Sequence, residues 1–123
     1  MVSATLLHLT LASIEDKYYF AKTSKGPHII RHSLLKQTFK LGYPLKLYCE
    51  AEGLYSPQIN WYKNGVQLSN DHRTVIKTER FRHGVSSRLQ LVLTRILDAG
   101  LYDCVARDDN GIHMREFRVD YKL

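Results

Sequence analysis

No stretch of this 123-residue chain approaches the roughly 20 consecutive apolar residues that a membrane helix requires. Even the opening MVSATLLHLTLASI is interrupted by Thr5, His8, Thr10 and Ser13, so no membrane span is expected. There are two cysteines, Cys49 and Cys104, which allow one disulfide at most. No Asn-x-Ser/Thr sequence is present, so the usual mark of an N-glycosylated surface loop is missing. There is no internal repeat, low-complexity run or cofactor motif. Acidic residues are outnumbered, 12 against 18 Lys and Arg, and the resulting +6 favours acidic partners.

The composition suits one compact core. At 14.3 kDa, 44% hydrophobic and 24% charged, the chain has the size of an ordinary domain, which buries roughly two-thirds of its unfolded surface. Residues 1–26 read as a leader or linker before a domain at 27–123. Leu6, Leu7, Leu9, Leu11 and Ala12 form a short apolar stretch ending in small residues, as in a signal peptide, but the Lys or Arg that normally precedes one is absent. The reading therefore inclines to an N-terminal strand or a disordered leader. KYYFAKTSKGP is polar enough for a linker, yet the adjacent Tyr18, Tyr19 and Phe20 favour a segment packed on a neighbour or partner.

From residue 27 onward the period is that of strands. PLKLYCEAE places Leu45, Leu47, Cys49 and Ala51 on one face and Lys46, Tyr48, Glu50 and Glu52 on the other, the pattern of a half-buried strand. QINWYK turns Ile59 and Trp61 inward, SRLQLVL aligns Leu89, Leu91 and Leu93, and GLYDCVA aligns Tyr102, Cys104 and Ala106. Turn signals fall at Gly42 and Pro44, Ser56-Pro57, Asn64-Gly65, Ser69 to Asp71, His83-Gly84 and Asn110-Gly111. The Asn-Gly pairs suit tight hairpins in which both turn residues take positive φ. Short strands at this spacing mean an all-β sandwich or barrel.

Cys49 and Cys104 lie on inward faces, with the inward Trp61 between them in sequence. In a sandwich two such sulfurs can bridge the sheets beneath the indole. If they pair, closing a loop of about 56 residues contributes on the order of 4 kcal/mol in the chain-entropy account. Two buried free thiols acting as small apolar side chains are the alternative, favoured in a reducing compartment.

The set Cys49, Trp61, Leu91, Asp98, Gly100, Tyr102 and Cys104, with NWYKNG at 60–65 and CVARDDNG at 104–111, resembles the immunoglobulin superfamily, and within it the I-set (intermediate) domains. The resemblance covers about residues 27–122 and implies an immunoglobulin-like β-sandwich of two antiparallel sheets in Greek-key order. It implies that Tyr102 is the tyrosine corner, its hydroxyl reaching the backbone near Asp98, and that Asp98 pairs with Arg73. Gly100 is expected to permit close approach of strands E and F. The strands it implies are A 28–32, A′ 36–40, B 45–52, C 58–63, C′ 66–68, D 73–79, E 86–93, F 101–108 and G 112–121.

An enzyme is not expected. HIIRH has the i, i+4 spacing that binds zinc on a helix, but Pro27, Ile29 and Ile30 favour a strand, where His28 and His32 stand outward about 13 Å apart. His8, His72, His83 and His113 supply no third ligand at a metal-binding spacing, no cofactor is implied, and no Ser-His-Asp order sits in a context offering an oxyanion hole. A polyanion site is a candidate at the D–E turn, where Lys77, Arg80, Arg82, His83 and Arg88 cluster around an exposed Phe81 and each contact would release counterions. In an extracellular setting the ligand would be heparan sulfate and not nucleic acid; the blander reading is a charged edge strand protected from aggregation.

The resemblance makes protein recognition the leading function. The C–F–G sheet residues Tyr62, Lys63, Arg107, His113, Arg115, Phe117 and Val119 are the first candidates for contact. Along HMREFRVDY, however, the family pattern turns Phe117, Val119 and Tyr121 inward and Met114, Glu116, Arg118 and Asp120 outward, with His113 and Arg115 open to either face. Two settings follow: a secreted or cell-surface adhesion, receptor or signalling module, with neighbouring immunoglobulin domains in a longer parent or a homo-oligomer, or a cytoplasmic, sarcomeric spacer or anchor like those of giant muscle proteins. Paired cysteines around Trp61 favour the extracellular setting.

Overall fold

In a computed structural model, residues 19–21 and 26–123 are described; the apolar opening and most of KYYFAKTSKGP lie outside them. Ten strands are present among the described residues: β1 (Tyr19–Ala21), β2 (His28–His32), β3 (Lys36–Lys40), β4 (Leu45–Glu52), β5 (Gln58–Lys63), β6 (Val66–Gln67), β7 (Thr74–Phe81), β8 (Gly84–Leu91), β9 (Gly100–Asp108) and β10 (Gly111–Lys122). They form a four-stranded sheet in the order β2-β4-β8-β7 and a six-stranded sheet in which β10, β9, β5 and β6 follow one another. Both β1 and β3 pair with β10, β1 along residues 111–113 and β3 along residues 118–122.

One ladder departs from the antiparallel expectation, since β3 runs parallel to β10. The cause is local. The chain leaves the four-stranded sheet after β2 and joins the other sheet as β3, tied at the crossing by Ser33 N–H to Tyr48 O (3.0 Å) and Arg118 N–H to Leu35 O (2.6 Å).

The alternation read from β4 appears in its burial: Leu45, Leu47, Cys49 and Ala51 are buried, and they meet Ile59, Trp61, Val85, Leu89, Leu91, Tyr102, Ala106, Phe117 and Val119 in one core. The Trp61 and Phe117 rings lie 5.8 Å apart between centroids. Strand E ends earlier than its alternation implies: β8 stops at Leu91, and Leu93 is 62% exposed. Thr94 draws the chain away there, donating its hydroxyl to Lys40 O (3.0 Å) and Tyr43 O (2.7 Å), before a 3₁₀ turn at Ile96–Asp98.

The two Asn-Gly turns differ. Asn64 and Gly65 take φ of 48° and 82°, as a two-residue hairpin with both central residues at positive φ requires. No positive φ occurs at Asn110 or Gly111. There the Asp108 carboxylate accepts Asn110 N–H (2.7 Å) and Gly111 N–H (3.1 Å), a side-chain turn that replaces the backbone one.

Candidate recognition surfaces

The surfaces rest on a scaffold joined at three points. Cys49 of β4 and Cys104 of β9 form a disulfide between the sheets, with Cα atoms 6.5 Å apart. The buried Trp61 indole donates to Ser87 Oγ at 2.8 Å. The Tyr102 hydroxyl donates to Asp98 O at 2.6 Å, while the Asp98 carboxylate accepts Arg73 Nη2 and Arg95 N–H, both at 2.7 Å. Burial first, and then the Asp98 charge, hold the Tyr102 phenol far above its ordinary pKa. Gly100 does not serve the approach of strands E and F. Its φ is +148°, and a Cβ there would meet Asn64 Oδ1 at 3.1 Å, so it makes room for the Asn64 turn.

The five residues of the expected polyanion site are divided. Lys77 and Arg88 are direct cross-strand partners on the outer face of the four-stranded sheet. Arg80 is opposite the buried Val85 and therefore turns the other way, donating to Pro57 O (3.2 Å) and Ser56 Oγ (3.4 Å). Arg82 and His83 form the hairpin tip, where His83 Nδ1 meets Leu54 O at 2.8 Å. Beside Lys77 and Arg88, the structure adds Lys46 and Tyr48. The Arg88 guanidinium lies 5.2 Å from the Tyr48 ring centroid, and the Tyr48 hydroxyl donates to Glu50 Oε1 at 2.5 Å. Desolvation, then that hydrogen bond and the Glu50 charge, raise the Tyr48 pKa. Lys46 was visible on the outward side of its strand; what alternation within one strand does not give is the register placing it next to Arg88.

On the six-stranded sheet, Phe117 and Val119 belong to the core and His113 is buried. His113 Nδ1 accepts Ile29 N–H at 2.9 Å and its Nε2 lies 2.7 Å from Arg115 Nη1, so neither is a free contact residue. The Lys63 ammonium donates to Leu97 O and lies 5.8 Å from the Tyr102 ring. The outer face is instead laid out in cross-strand rows: Tyr62, Asp103 and Glu116; Asn60, Val105 and Met114; Gln58, Arg107 and Ile112. Val105 is only 9% exposed although it stands outside the core cluster. Burial, and then the facing Glu116, raise the Asp103 pKa, and Asp103 Oδ1 is buried without a hydrogen-bond partner.

The two outer histidines are exposed, but a bulge between Ile29 and Arg31 alters the simple alternation of β2. Their rings meet β10 edge-on, His28 against His113 and His32 against Phe117, each at 6.1 Å. Among the described residues no three His, Cys, Asp or Glu converge as metal ligands, and no helix is long and apolar enough to cross a membrane.

Two sheets joined by an inter-sheet disulfide under a buried tryptophan, with a tyrosine corner, define an immunoglobulin-type β-sandwich. Residues 27–108 match the family model described as an immunoglobulin domain, and the chain belongs to that family. It is 42% identical over 109 residues to the immunoglobulin domain-containing protein oig-1 of Caenorhabditis elegans, covering 89% of this chain and 80% of that one. It is 32% identical over 97 residues to cardiac-type myosin-binding protein C of Gallus gallus, covering 79% of this chain but 7% of that one. A solved structure of Dpr2 Ig1-Ig2 in complex with DIP-Theta Ig1-Ig3 superposes with a TM-score of 0.74 at 23% identity, over 79% of this chain and 32% of that one.

Proposed function

We propose that this protein is a non-enzymatic extracellular recognition module that binds a protein partner through the outer face of its six-stranded sheet. The observation that carries the reading is the strip of Tyr62, Val105, Met114 and Ile112 on that face. A solvent face of an antiparallel sheet is ordinarily polar, whereas interface centres are enriched in Tyr and Met and depleted of charge. The Cys49–Cys104 bond supports an oxidising compartment. The net charge of +6 adds an acidic partner, which outside the cell is heparan sulfate.

The test is a binding screen of the immobilised protein against extracellular domains, repeated with Met114→Arg. A partner that loses binding on that substitution supports the reading; partners indifferent to it overturn the assignment of the face. A sarcomeric spacer is the second reading, favoured by the likeness to myosin-binding protein C. Intact mass of protein alkylated in its native source separates the settings. A gain of two hydrogens on reduction means the bond exists in vivo, and two alkylated thiols before reduction mean a reducing compartment.

A further inference from the structure

We propose that the outer face of the four-stranded sheet holds a binding groove for a sulfated polysaccharide, built by Lys46, Lys77 and Arg88. The proposal rests on the extracellular reading; it keeps Lys77 and Arg88 of the expected D–E site, adds Lys46, and leaves out Arg80, Arg82 and His83. Three adjacent strands contribute one row, Tyr48, Arg88 and Lys77, and the next row is Lys46, Gln90 and Val75. Between the rows lies a groove of about 430 Å³ with Ser33 at its rim, and none of its lining residues is a carboxylate. The adjoining row, Glu50, Ser86 and Glu79, carries two acids outside the groove lining, and of these Glu50 already receives the Tyr48 hydroxyl.

Three physical features favour a polyanion. Lys77 and Arg88 are like charges directly opposite one another, an arrangement that destabilises a sheet unless an anion lies between them. Among the described residues the one salt bridge joins Arg73 to Asp98, so no carboxylate is paired with the three groove cations. Stacking on Tyr48 holds the Arg88 fork in place before the ligand arrives, and such preorganisation lowers the cost of binding. Nucleic acid is disfavoured because single-strand binding relies on open aromatic faces for base stacking. The Tyr48 ring, the groove's one aromatic, is covered by Arg88.

The experiment titrates the full oxidised chain with a heparin-derived octasaccharide across a salt series. Lys46→Ala, Lys77→Ala and Arg88→Ala are each expected to weaken binding about 5- to 10-fold and to lower the slope of log K against log salt by about one. Arg82→Ala at the hairpin tip should stay within about twofold of wild type, as expected for a residue outside the groove. Because Arg88 also covers Tyr48, thermal melts accompany the series, and Lys46→Ala remains decisive if Arg88→Ala is unstable. A larger loss with Arg82→Ala than with Lys46→Ala overturns the groove. So does equal binding of a desulfated octasaccharide, or tighter binding of a polynucleotide or polyglutamate. Absence of any octasaccharide binding also overturns it, while leaving the protein-partner reading to the Met114→Arg and alkylation experiments.

Discussion

The Tyr102 hydroxyl donates to the backbone carbonyl of Asp98, four residues earlier, at 2.6 Å and in a buried setting. The same Asp98 holds Arg73 and Arg95 N–H through its carboxylate, so one residue ties β9, the 3₁₀ turn and the start of β7 together. Tyr102→Phe keeps the ring but leaves a buried carbonyl unpaired. It should cost about 1–3 kcal/mol, read as a lower urea midpoint at unchanged m value.

The indole of Trp61 depends on Ser87 in the same way. Ser87 is fully buried and its Oγ also lies 3.2 Å from Thr78 Oγ1. Ser87→Ala strands the indole N–H and should cost about 1–3 kcal/mol. Trp61→Phe adds a packing loss, yet in that background Ser87→Ala should cost less than it does alone, because the stranded donor is gone. A double-mutant cycle by chemical denaturation reads the coupling, and strictly additive effects would refute the hydrogen bond's role.

These two contacts also show what alternation in the sequence made legible. Period two placed Cys49, Trp61, Tyr102 and Cys104 inward, because each strand has one face on the core. It failed for Leu93, because the Thr94 hydroxyl bonds pull the chain out of the sheet. Period two also puts Lys77 and Arg80 on opposite faces, as found; the grouping of the D–E cations by nearness in sequence overlooked this, since a cluster in sequence is not a cluster in space when neighbouring strand residues alternate. The outer faces were the least legible, since Lys46 next to Arg88 and Asp103 next to Glu116 are products of inter-strand register. The parallel β3–β10 ladder depends on a chain crossing that no residue pattern announces.

The disulfide predicts how strongly the fold depends on its compartment. Cys49 and Cys104 are 55 residues apart in sequence, and a loop of that length restrains the unfolded chain by about 4 kcal/mol in the entropy account. The Cys49→Ala, Cys104→Ala double variant should therefore lose about 4 kcal/mol, measured by urea unfolding beside the oxidised protein. A loss below about 1 kcal/mol would place stability almost wholly in the packed core, as a reducing setting demands.

Gly100 is expected to resist substitution for a backbone reason. At φ +148° an L side chain is strained, and an added Cβ would press on Asn64 Oδ1, which also accepts Leu101 N–H at 3.2 Å. Gly100→Ala should cost about 1–3 kcal/mol and broaden the backbone amide signals of Asn64 and Leu101 in NMR spectra. An unchanged melting temperature would show that the turn relaxes freely.

Asp103 gives a pH dependence whose sign is opposite to that of a salt-bridged carboxylate. Burial and the facing Glu116 raise its folded pKa above 3.8, so the folded state holds the proton more tightly than the unfolded chain. Its contribution is therefore fully present below the unfolded pKa and is lost as pH rises through the raised folded value. Asp103→Asn removes the charge without changing the shape. The variant should equal or exceed wild type in melting temperature at neutral pH, and the difference should shrink as pH falls through the raised folded value and the wild-type carboxyl becomes protonated. If Asp103→Asn lowered the melting temperature at neutral pH, the carboxylate would have to be paired in solution and not buried without a partner.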